Sequence, residues 1–167
     1  MPMEYAITFD PERCIACHGC ALACKSWRNR PLGVFCRRVE SRWMQDADLP
    51  RPVHFSLACM HCAAPACVAV CPAKALKKKE NGIVAVDETR CISCRACARA
   101  CPFGIPQFPE SGPMQKCDLC EGMFDMQRQA PPCVASCPTR ALTFTRITEE
   151  DKRRNEESLL ATLRNCR

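Results

Sequence analysis

The feature that most constrains this chain is its cysteines, which recur in four short runs. The run from Cys91 to Pro102 has three cysteines at every third position, a fourth after three more residues, and a proline directly behind it. In bacterial ferredoxins this C-x2-C-x2-C-x3-C-P spacing holds iron–sulfur clusters through thiolates. Related runs begin at Cys14, Cys59 and Cys117, and the four runs together contain 16 of the 18 cysteines. Metal binding is therefore expected to organise the fold.

The other three runs vary this spacing. Run one spans Cys14 to Cys24 and has Lys25 in place of the proline, whereas run two, Cys59 to Pro72, has two extra residues in its middle gap. Run four, Cys117 to Pro138, contains a twelve-residue insertion from Glu121 to Pro132. A cysteine triplet directs three sulfurs at one [4Fe–4S] cube, while in two-cluster ferredoxins the fourth cysteine ligates the other cube. Four runs thus predict four clusters in two mutually bridged pairs.

An internal repeat shows that the chain is a duplicated pattern. Residues 7–17 match residues 84–94, and residues 67–76 match residues 133–142. Runs one and three follow a strand, whereas runs two and four lead into one. Asn81-Gly82 is a strong hairpin signal that joins run two to run three. This hairpin favours pairing run two with run three and run one with run four, but the flanking strands alone also permit one with two and three with four.

These patterns predict an α+β fold with two bacterial-ferredoxin-like modules of two clusters each, built from short strands, short helices and long loops, the second nested in the first. The outer module takes residues 1–52 and 103–147, the inner module residues 53–102, and a charged C-terminal helix or tail residues 148–167. The expected elements are strands at 6–9 and 141–144, a strand or short helix at 34–43, a loop at 46–52, an extended connector at 103–114, one or two helical turns at 121–132, and a helix after Thr148 whose apolar face is Leu159, Leu160 and Leu163.

Composition limits the other classes of protein. Aromatic residues are only 6% of the chain and much of its 47% hydrophobic content is cysteine and alanine, so clusters are expected to supply the core. Disulfides suit the tight C-x2-C repeats poorly. Four zinc sites of four thiolates each are the main alternative, although the cysteine triplets and the Cys-Pro endings favour clusters. The net charge of +6 is scattered, with one run at Lys77 to Lys79, and predicts no nucleic-acid binding.

The remaining residues suggest no catalytic centre. Four cysteines for each of four cubes leave no open iron position for a substrate, so electron transfer is expected and catalysis is not. His18, His54 and His61 are expected to pack around the clusters without ligating them. Of the two cysteines outside the runs, Cys36 is expected to be buried and inert and Cys166 to be exposed. The sequence shows no secretory signal in its first residues and no transmembrane segment.

Residues 4–145, with four runs in this order and a long gap in run four, resemble the four-cluster iron–sulfur subunit of the dimethyl sulfoxide reductase family of molybdopterin oxidoreductases. Nitrate-reductase-like relatives have a tryptophan in run three where this chain has Cys94, so the resemblance implies four intact [4Fe–4S] clusters. The ligand sets that it implies are Cys14, Cys17, Cys20 and Cys137; Cys24, Cys117, Cys120 and Cys133; Cys59, Cys62, Cys67 and Cys101; and Cys71, Cys91, Cys94 and Cys97.

The resemblance also implies a function. Such a subunit relays electrons between a catalytic subunit that binds molybdopterin with molybdenum or tungsten and a quinone-linked membrane anchor or another redox partner. A free-standing polyferredoxin, or an electron carrier of a hydrogenase-type or formate-type complex, is the alternative. Thiolate ligands imply assembly in a reducing compartment. The cytoplasm is expected in preference to the periplasm, which relatives reach by export with a signal-bearing catalytic subunit.

Overall fold

A computed structural model describes residues 3–44 and 50–166 of the chain, so most of the expected loop at 46–52 lies outside the described residues. The fold is mixed α+β, with short strands paired into two-stranded antiparallel sheets. The strands are β1 (Glu4–Phe9), β2 (Arg37–Trp43), β3 (Pro52–Ala58), β4 (Leu76–Lys78), β5 (Val84–Val86) and β6 (Leu142–Ile147). The helices are α1 (Gly19–Trp27), α2 (Ala66–Ala69), α3 (Ala96–Ala100), α4 (Pro132–Ala135) and α5 (Glu149–Arg164), and Pro11–Arg13 form a single 3-10 turn.

The first sheet brings the two ends of the cysteine-rich region together. β1 pairs with β6 over six residue pairs, from Glu4 opposite Ile147 to Phe9 opposite Leu142. Across this sheet the rings of Tyr5 and Phe144 stack with centroids 5.4 Å apart. Both strands expected from the sequence are present and slightly longer than expected. Run one therefore starts, and run four ends, at the same sheet.

The second sheet is the hairpin expected at Asn81-Gly82. β4 pairs with β5 over three residue pairs, from Leu76 opposite Val86 to Lys78 opposite Val84. Gly82 has φ +82°, and a side chain there would meet the Glu4 side chain at 2.4 Å. The turn therefore requires glycine for its backbone and for the space it leaves. The hairpin joins the end of run two to the start of run three.

The segment from Val34 to Trp43, which the sequence left open between strand and helix, forms strand β2 from Arg37 onward, and Val34 to Cys36 lie outside the strand. It pairs with β3 from Arg37 opposite Ala58 to Trp43 opposite Pro52. The β3 side chains of Phe55 and Leu57 are buried. β3 then leads directly into run two.

Helix α5 is as expected from the sequence and is held at its start by a reciprocal cap. The Thr148 hydroxyl accepts from the Asp151 backbone N–H, and the Asp151 carboxylate accepts from the Thr148 backbone N–H. Its apolar face, Leu159, Leu160 and Leu163, packs in the core cluster that contains Phe55. None of the helices within residues 3–44 and 50–166 is long and apolar enough to cross a membrane.

The expectation that Cys166 is exposed is wrong. It is 7% exposed in the same core cluster as Leu163 and forms an antiparallel bridge with Met44. The reason is that α5 folds back over β3 and carries the end of the described chain into the core. Cys36 is buried, as expected, and burial raises the pKa of its thiol.

The two longer insertions have little regular structure. Residues 103–114 contain no helix or strand, as expected for the connector. In the run-four insertion the Gln129 N–H bonds to the Asp125 carbonyl at 2.9 Å, which makes a single turn. Pro131 and Pro132 end this segment and begin α4. The insertion thus contains one turn, where the sequence predicted one or two helical turns.

Candidate iron–sulfur cluster sites

The structure gathers the sixteen cysteines of the runs into four groups. Three groups each line a cavity, and the three cavities are alike in size. We number the groups site I (Cys14, Cys17, Cys20 and Cys137), site II (Cys24, Cys117, Cys120 and Cys133), site III (Cys59, Cys62, Cys67 and Cys101) and site IV (Cys71, Cys91, Cys94 and Cys97). Each group combines three thiols of one run with one thiol of another, as the family resemblance implies.

Site II is the most enclosed group. All four of its thiols are buried, between 4% and 8% exposed. Burial, together with the neighbouring Cys133 thiolate, raises the pKa of Cys24 to about 12, and burial raises the pKa of Cys117 well above its usual range. Such thiols stay protonated at neutral pH unless a bound cation displaces the proton. The group is therefore suited to metal and unsuited to free thiolate chemistry.

Sites I and IV, by contrast, reach the surface. Cys17 of site I and Cys94 of site IV are exposed, and the isoleucine two residues before each of them, Ile15 or Ile92, is at least 60% exposed. In site III every thiol is partly buried and none is exposed. Solvent thus contacts the two sites that contain Cys17 and Cys94 more directly than it contacts sites II and III.

A shared backbone turn shapes all four runs. The residue directly before the second cysteine has a left-handed backbone, with φ between +50° and +56° at Ala16, His61, Ser93 and Leu119. None of these is glycine, so each turn costs on the order of 1 kcal/mol that the surrounding structure must offset. Composition gave no sign of these turns, because the sequence signal for a left-handed residue is glycine. The turn curls each run so that its first three thiols face one group.

A second turn follows each Cys-Pro ending. The third residue after the cysteine is again left-handed, at Lys74, Gly104 and Arg140. In runs two and four the next N–H then donates back to the cysteine sulfur, from Ala75 to Cys71 Sγ at 3.3 Å and from Ala141 to Cys137 Sγ at 3.2 Å.

Such donors favour a thiolate over a thiol. Although burial raises the pKa of Cys137, the N–H groups of Leu142, Ala141 and Thr139 and the Thr139 hydroxyl lower it below its usual value overall.

Short helices fix the third cysteine of every run. Cys20, Cys67, Cys97 and Cys133 lie in α1, α2, α3 and α4 respectively. α1 packs against α4, and α2 packs against α3. The helix of run one thus lies beside that of run four, and the helix of run two beside that of run three.

Polar side chains near the thiols were not foreseen from the sequence. The Ser56 hydroxyl lies 3.2 Å from Cys20 Sγ and accepts a hydrogen bond from Arg37 Nη1 at 3.0 Å. Lys116, which lines site III, donates to the carbonyl of Cys117 in site II at 2.8 Å. Long cations are rarely buried, which is why Arg37 and Lys116 attract no attention in the sequence. Both are only 3% exposed.

The histidines occupy three different settings. His18 lines site I, and His54 Nδ1 lies 2.8 Å from the Ser41 hydroxyl. His61 is 1% exposed, its Nδ1 accepts from the Val84 N–H at 2.9 Å, and burial lowers its pKa well below the usual value. His61 is therefore neutral, with its proton on Nε2.

Two buried donors test whether clusters fit. His61 Nε2 and Arg37 Nε are buried and have no hydrogen-bond partner among the described residues, a state that costs about 1–3 kcal/mol for each group. Sulfur atoms of clusters in the neighbouring sites are suitable acceptors. Within the described ranges, no three His, Cys, Asp or Glu side chains are grouped as ligands of a single metal ion. The thiols instead surround spaces, which suits a larger group.

Comparison with known proteins agrees with this chemistry. Residues 51–147 match the model of a 4Fe-4S dicluster domain, and residues 11–27 match that of a 4Fe-4S binding domain. The B subunit of anaerobic dimethyl sulfoxide reductase from Escherichia coli is 39% identical, over 98% of this chain and 83% of that protein. The chain belongs to this family of iron–sulfur electron-transfer subunits.

Other members of the family serve different reactions. The thiosulfate reductase electron transfer subunit PhsB of Salmonella typhi is 39% identical over 90% of this chain and 80% of that one. The formate dehydrogenase iron-sulfur subunit of Wolinella succinogenes is 39% identical over 80% of this chain and 76% of that one. As a member of this family the chain carries four [4Fe–4S] clusters and transfers electrons, and it is not a catalytic subunit.

Proposed function

We propose that this chain relays electrons for a molybdopterin oxidoreductase through four clusters in the order site I, II, III, IV. The observation that carries this proposal is that exposed thiols occur at one position of site I and one of site IV, with the other two sites more enclosed. Ser56 contacts Cys20 of site I, its hydrogen-bond partner Arg37 lies near the thiols of site II, and Lys116 links site II to site III. The packing of α2 on α3 links site III to site IV.

The proposed ligands are the sixteen thiols of the four sites. In this scheme each run contributes three thiols to one cluster and its last thiol to the neighbouring cluster. Cys24 and Cys137 are exchanged between sites I and II, and Cys71 and Cys101 between sites III and IV. The β1–β6 and β4–β5 sheets support this exchange, because each joins the two runs that share thiols. The proposed modules are therefore nested, with residues 53–102 inside residues 1–52 and 103–147.

The chain's own residues determine how the clusters work. When bound, a [4Fe–4S] cluster takes up and releases one electron with little change in structure. The thiols hold each cluster in place, and the burial of site II keeps water from its irons. Backbone N–H groups, such as that of Met114 at 3.4 Å from Cys91 Sγ, stabilise negative charge on the sulfurs.

The two exposed ends are the proposed docking positions. Ile15 beside Cys17 and Ile92 beside Cys94 give each end an apolar side chain at the surface. We propose that a molybdopterin catalytic subunit, with molybdenum or tungsten, covers one end. A quinone-linked membrane anchor or another redox partner covers the other. The relatives belong to enzymes named for dimethyl sulfoxide, thiosulfate and formate. In this proposal the catalytic partner, and not the relay subunit, determines the substrate.

The proposed location is the cytoplasm, or the periplasm by export together with a signal-bearing catalytic subunit. Thiolate-bound clusters support assembly in a reducing compartment, because oxidising compartments convert thiols to disulfides. Cell fractionation with an antibody to this chain distinguishes the two locations.

Anaerobic purification from the native host tests the proposed function. We expect a brown complex with a molybdopterin subunit and about 16 irons and 16 acid-labile sulfides for each copy of this chain. A chain that is always purified alone, and exchanges electrons with many unrelated carriers, would instead be a free-standing polyferredoxin.

A further inference from the structure

Arg37 is a buried cation for which the described part of the protein offers no carboxylate. Its side chain is 3% exposed, and its Nη1 donates to the carbonyl and the hydroxyl of Ser56 at 3.2 and 3.0 Å. Across residues 3–44 and 50–166, none of the ion pairs involves Arg37. Burying an unpaired guanidinium is strongly unfavourable. A nearby negative charge of another kind must offset this cost.

The cluster-bound thiolates of sites I and II would supply that charge, because ligation to iron removes the protons that burial otherwise keeps on these thiols. Burial lowers the pKa of Arg37, but the thiolates of Cys133, Cys117, Cys20 and Cys24 raise it above its usual value overall. Three of these belong to site II and Cys20 belongs to site I. The guanidinium therefore lies where it interacts with both groups.

Hydrogen bonding points to the same place. The Ser56 hydroxyl bridges Arg37 Nη1 and Cys20 Sγ, with distances of 3.0 and 3.2 Å. Arg37 Nε is buried without a partner among the described residues and is available to a sulfur acceptor. With its Nη1 bonds the guanidinium is held in one orientation, so its charge acts at a fixed position.

We propose that Arg37 raises the reduction potentials of the clusters at sites I and II, and that Ser56 adds to this effect at site I alone. The inference rests on the proposed ligand sets. Each reduction adds one electron, and thus one negative charge, near a guanidinium that is itself only 3% exposed and therefore weakly screened by water. A fixed cation stabilises the reduced form there more than the oxidised form. The clusters at these two sites consequently hold an added electron more tightly than they would without Arg37.

The test is redox titration of the purified complex followed by EPR, with Arg37→Gln, Arg37→Lys and Ser56→Ala variants. Arg37→Gln keeps an amide donor and removes the charge, so we expect at least a tenfold loss of electron affinity at two of the four clusters, which is about 59 mV for a one-electron couple. Arg37→Lys keeps the charge and should shift both clusters by much less. Ser56→Ala should lower the potential of one cluster.

Arg13→Gln is the matched control, because Arg13 is an exposed arginine directly before Cys14 of site I. Its charge is screened by solvent, so its removal should leave the potentials nearly unchanged.

Iron and sulfide counts on the same samples separate this inference from the proposed function. A wild-type chain without about 16 irons would refute the ligand sets. The role of Arg37 would be overturned if Arg37→Gln carried its full iron content and all four reduction potentials were unchanged. It would also be overturned if Arg37→Gln and Arg37→Lys shifted the potentials equally. If Arg37→Gln does not load iron, the Arg37→Lys variant decides between the explanations. Full iron loading of Arg37→Lys supports a need for the positive charge. Incomplete loading of Arg37→Lys shows a structural role for Arg37 and refutes the inference.

Discussion

The two ends of the proposed relay and its centre use the same ligand pattern in different surroundings. Cys94 in site IV and Cys120 in site II are both the second cysteine of a run, and each follows a left-handed residue. Cys94 is exposed and Cys120 is only 6% exposed. Burial, with the nearby Asp118, raises the pKa of Cys120 to about 11. The spacing of cysteines therefore defines where a cluster is held, and the surrounding chain decides how far water reaches it.

This difference matters for electron transfer because cluster potentials depend on solvent exposure and on hydrogen bonds to sulfur. The enclosed centre has the buried cations Arg37 and Lys116 beside it, whereas the ends have exposed isoleucines. In the proposed relay the exposed ends meet the partners, and the enclosed centre has less contact with water. Substitution, acid titration and chemical oxidation should each act differently on the two regions.

Removing one thiol should have its largest effect in the enclosed centre. In Cys120→Ala the iron that loses its thiolate lies where water has little access, because Cys120 is only 6% exposed, so we expect loss of the whole site II cluster, about four irons per chain. In Cys94→Ala solvent can replace the missing ligand, so we expect the loss of at most about one iron at site IV. Iron analysis and EPR measure both results.

Cys36→Ala is the control, because Cys36 is a buried thiol outside the four sites and its removal should leave the iron content unchanged. Equal iron losses in Cys120→Ala and Cys94→Ala would show that exposure does not distinguish the centre from the ends.

The difference between buried and exposed groups also applies to ion pairs. Glu4, 5% exposed, accepts from Lys152 at 2.7 Å and from Lys78 at 2.8 Å, and so connects β1 to α5 and to the hairpin. Glu4→Gln leaves two lysines without their counter-charge, so we expect the free energy of unfolding to fall by about 3 kcal/mol. Denaturation under anaerobic conditions measures it. The matched Glu121→Gln, which breaks a partly exposed pair with Lys79, should cost less than about 1 kcal/mol.

The effect of Glu4 should depend on pH in one direction. Burial tends to raise the pKa of Glu4, but Lys152 and Lys78 lower it below its usual 4.5 overall. A lowered pKa stabilises the fold above 4.5, and this contribution disappears as the pH falls through the folded-state value. The stability difference between wild type and Glu4→Gln should therefore be constant from neutral pH down to about pH 5 and narrow below it. A difference that grows on acidification would contradict this assignment.

A smaller effect is expected on the rate of oxidative damage. Ferricyanide added to the isolated chain should bleach the EPR signals of sites I and IV several-fold faster than those of sites II and III, because Cys17 and Cys94 are exposed. Binding the catalytic subunit should protect one of the two faster signals. Uniform bleaching of all four clusters would remove the distinction between ends and centre.

Much of this arrangement could be predicted because its signals are local. The cysteine runs, the Asn81-Gly82 turn and the start of α5 at Thr148 are each specified by a few adjacent residues. Together with the repeat, these signals predicted the elements at both ends of the cysteine-rich region. The segment from Val34 to Trp43 was undecided because its apolar residues suit a strand or a helix, and only pairing with β3 settles it.

What the sequence did not reveal depends on long-range packing. The burial of Arg37 results from its place opposite β3 and beside two groups of thiols, and burial of Cys166 results from the docking of α5. The left-handed turns at Ala16, Ser93 and their counterparts carry no glycine, so no residue type marks them. In each case the decisive partner is distant in the chain.

The most direct test of the account is to remove Cys101, the last thiol of run three. If runs exchange their last thiols, Cys101→Ala should damage the site III cluster of Cys59, Cys62 and Cys67 and leave the site IV cluster of Cys91, Cys94 and Cys97 intact. EPR of the reduced protein with iron analysis distinguishes them. Selective loss of the site IV signal would contradict the exchange of thiols between runs on which the proposed relay depends.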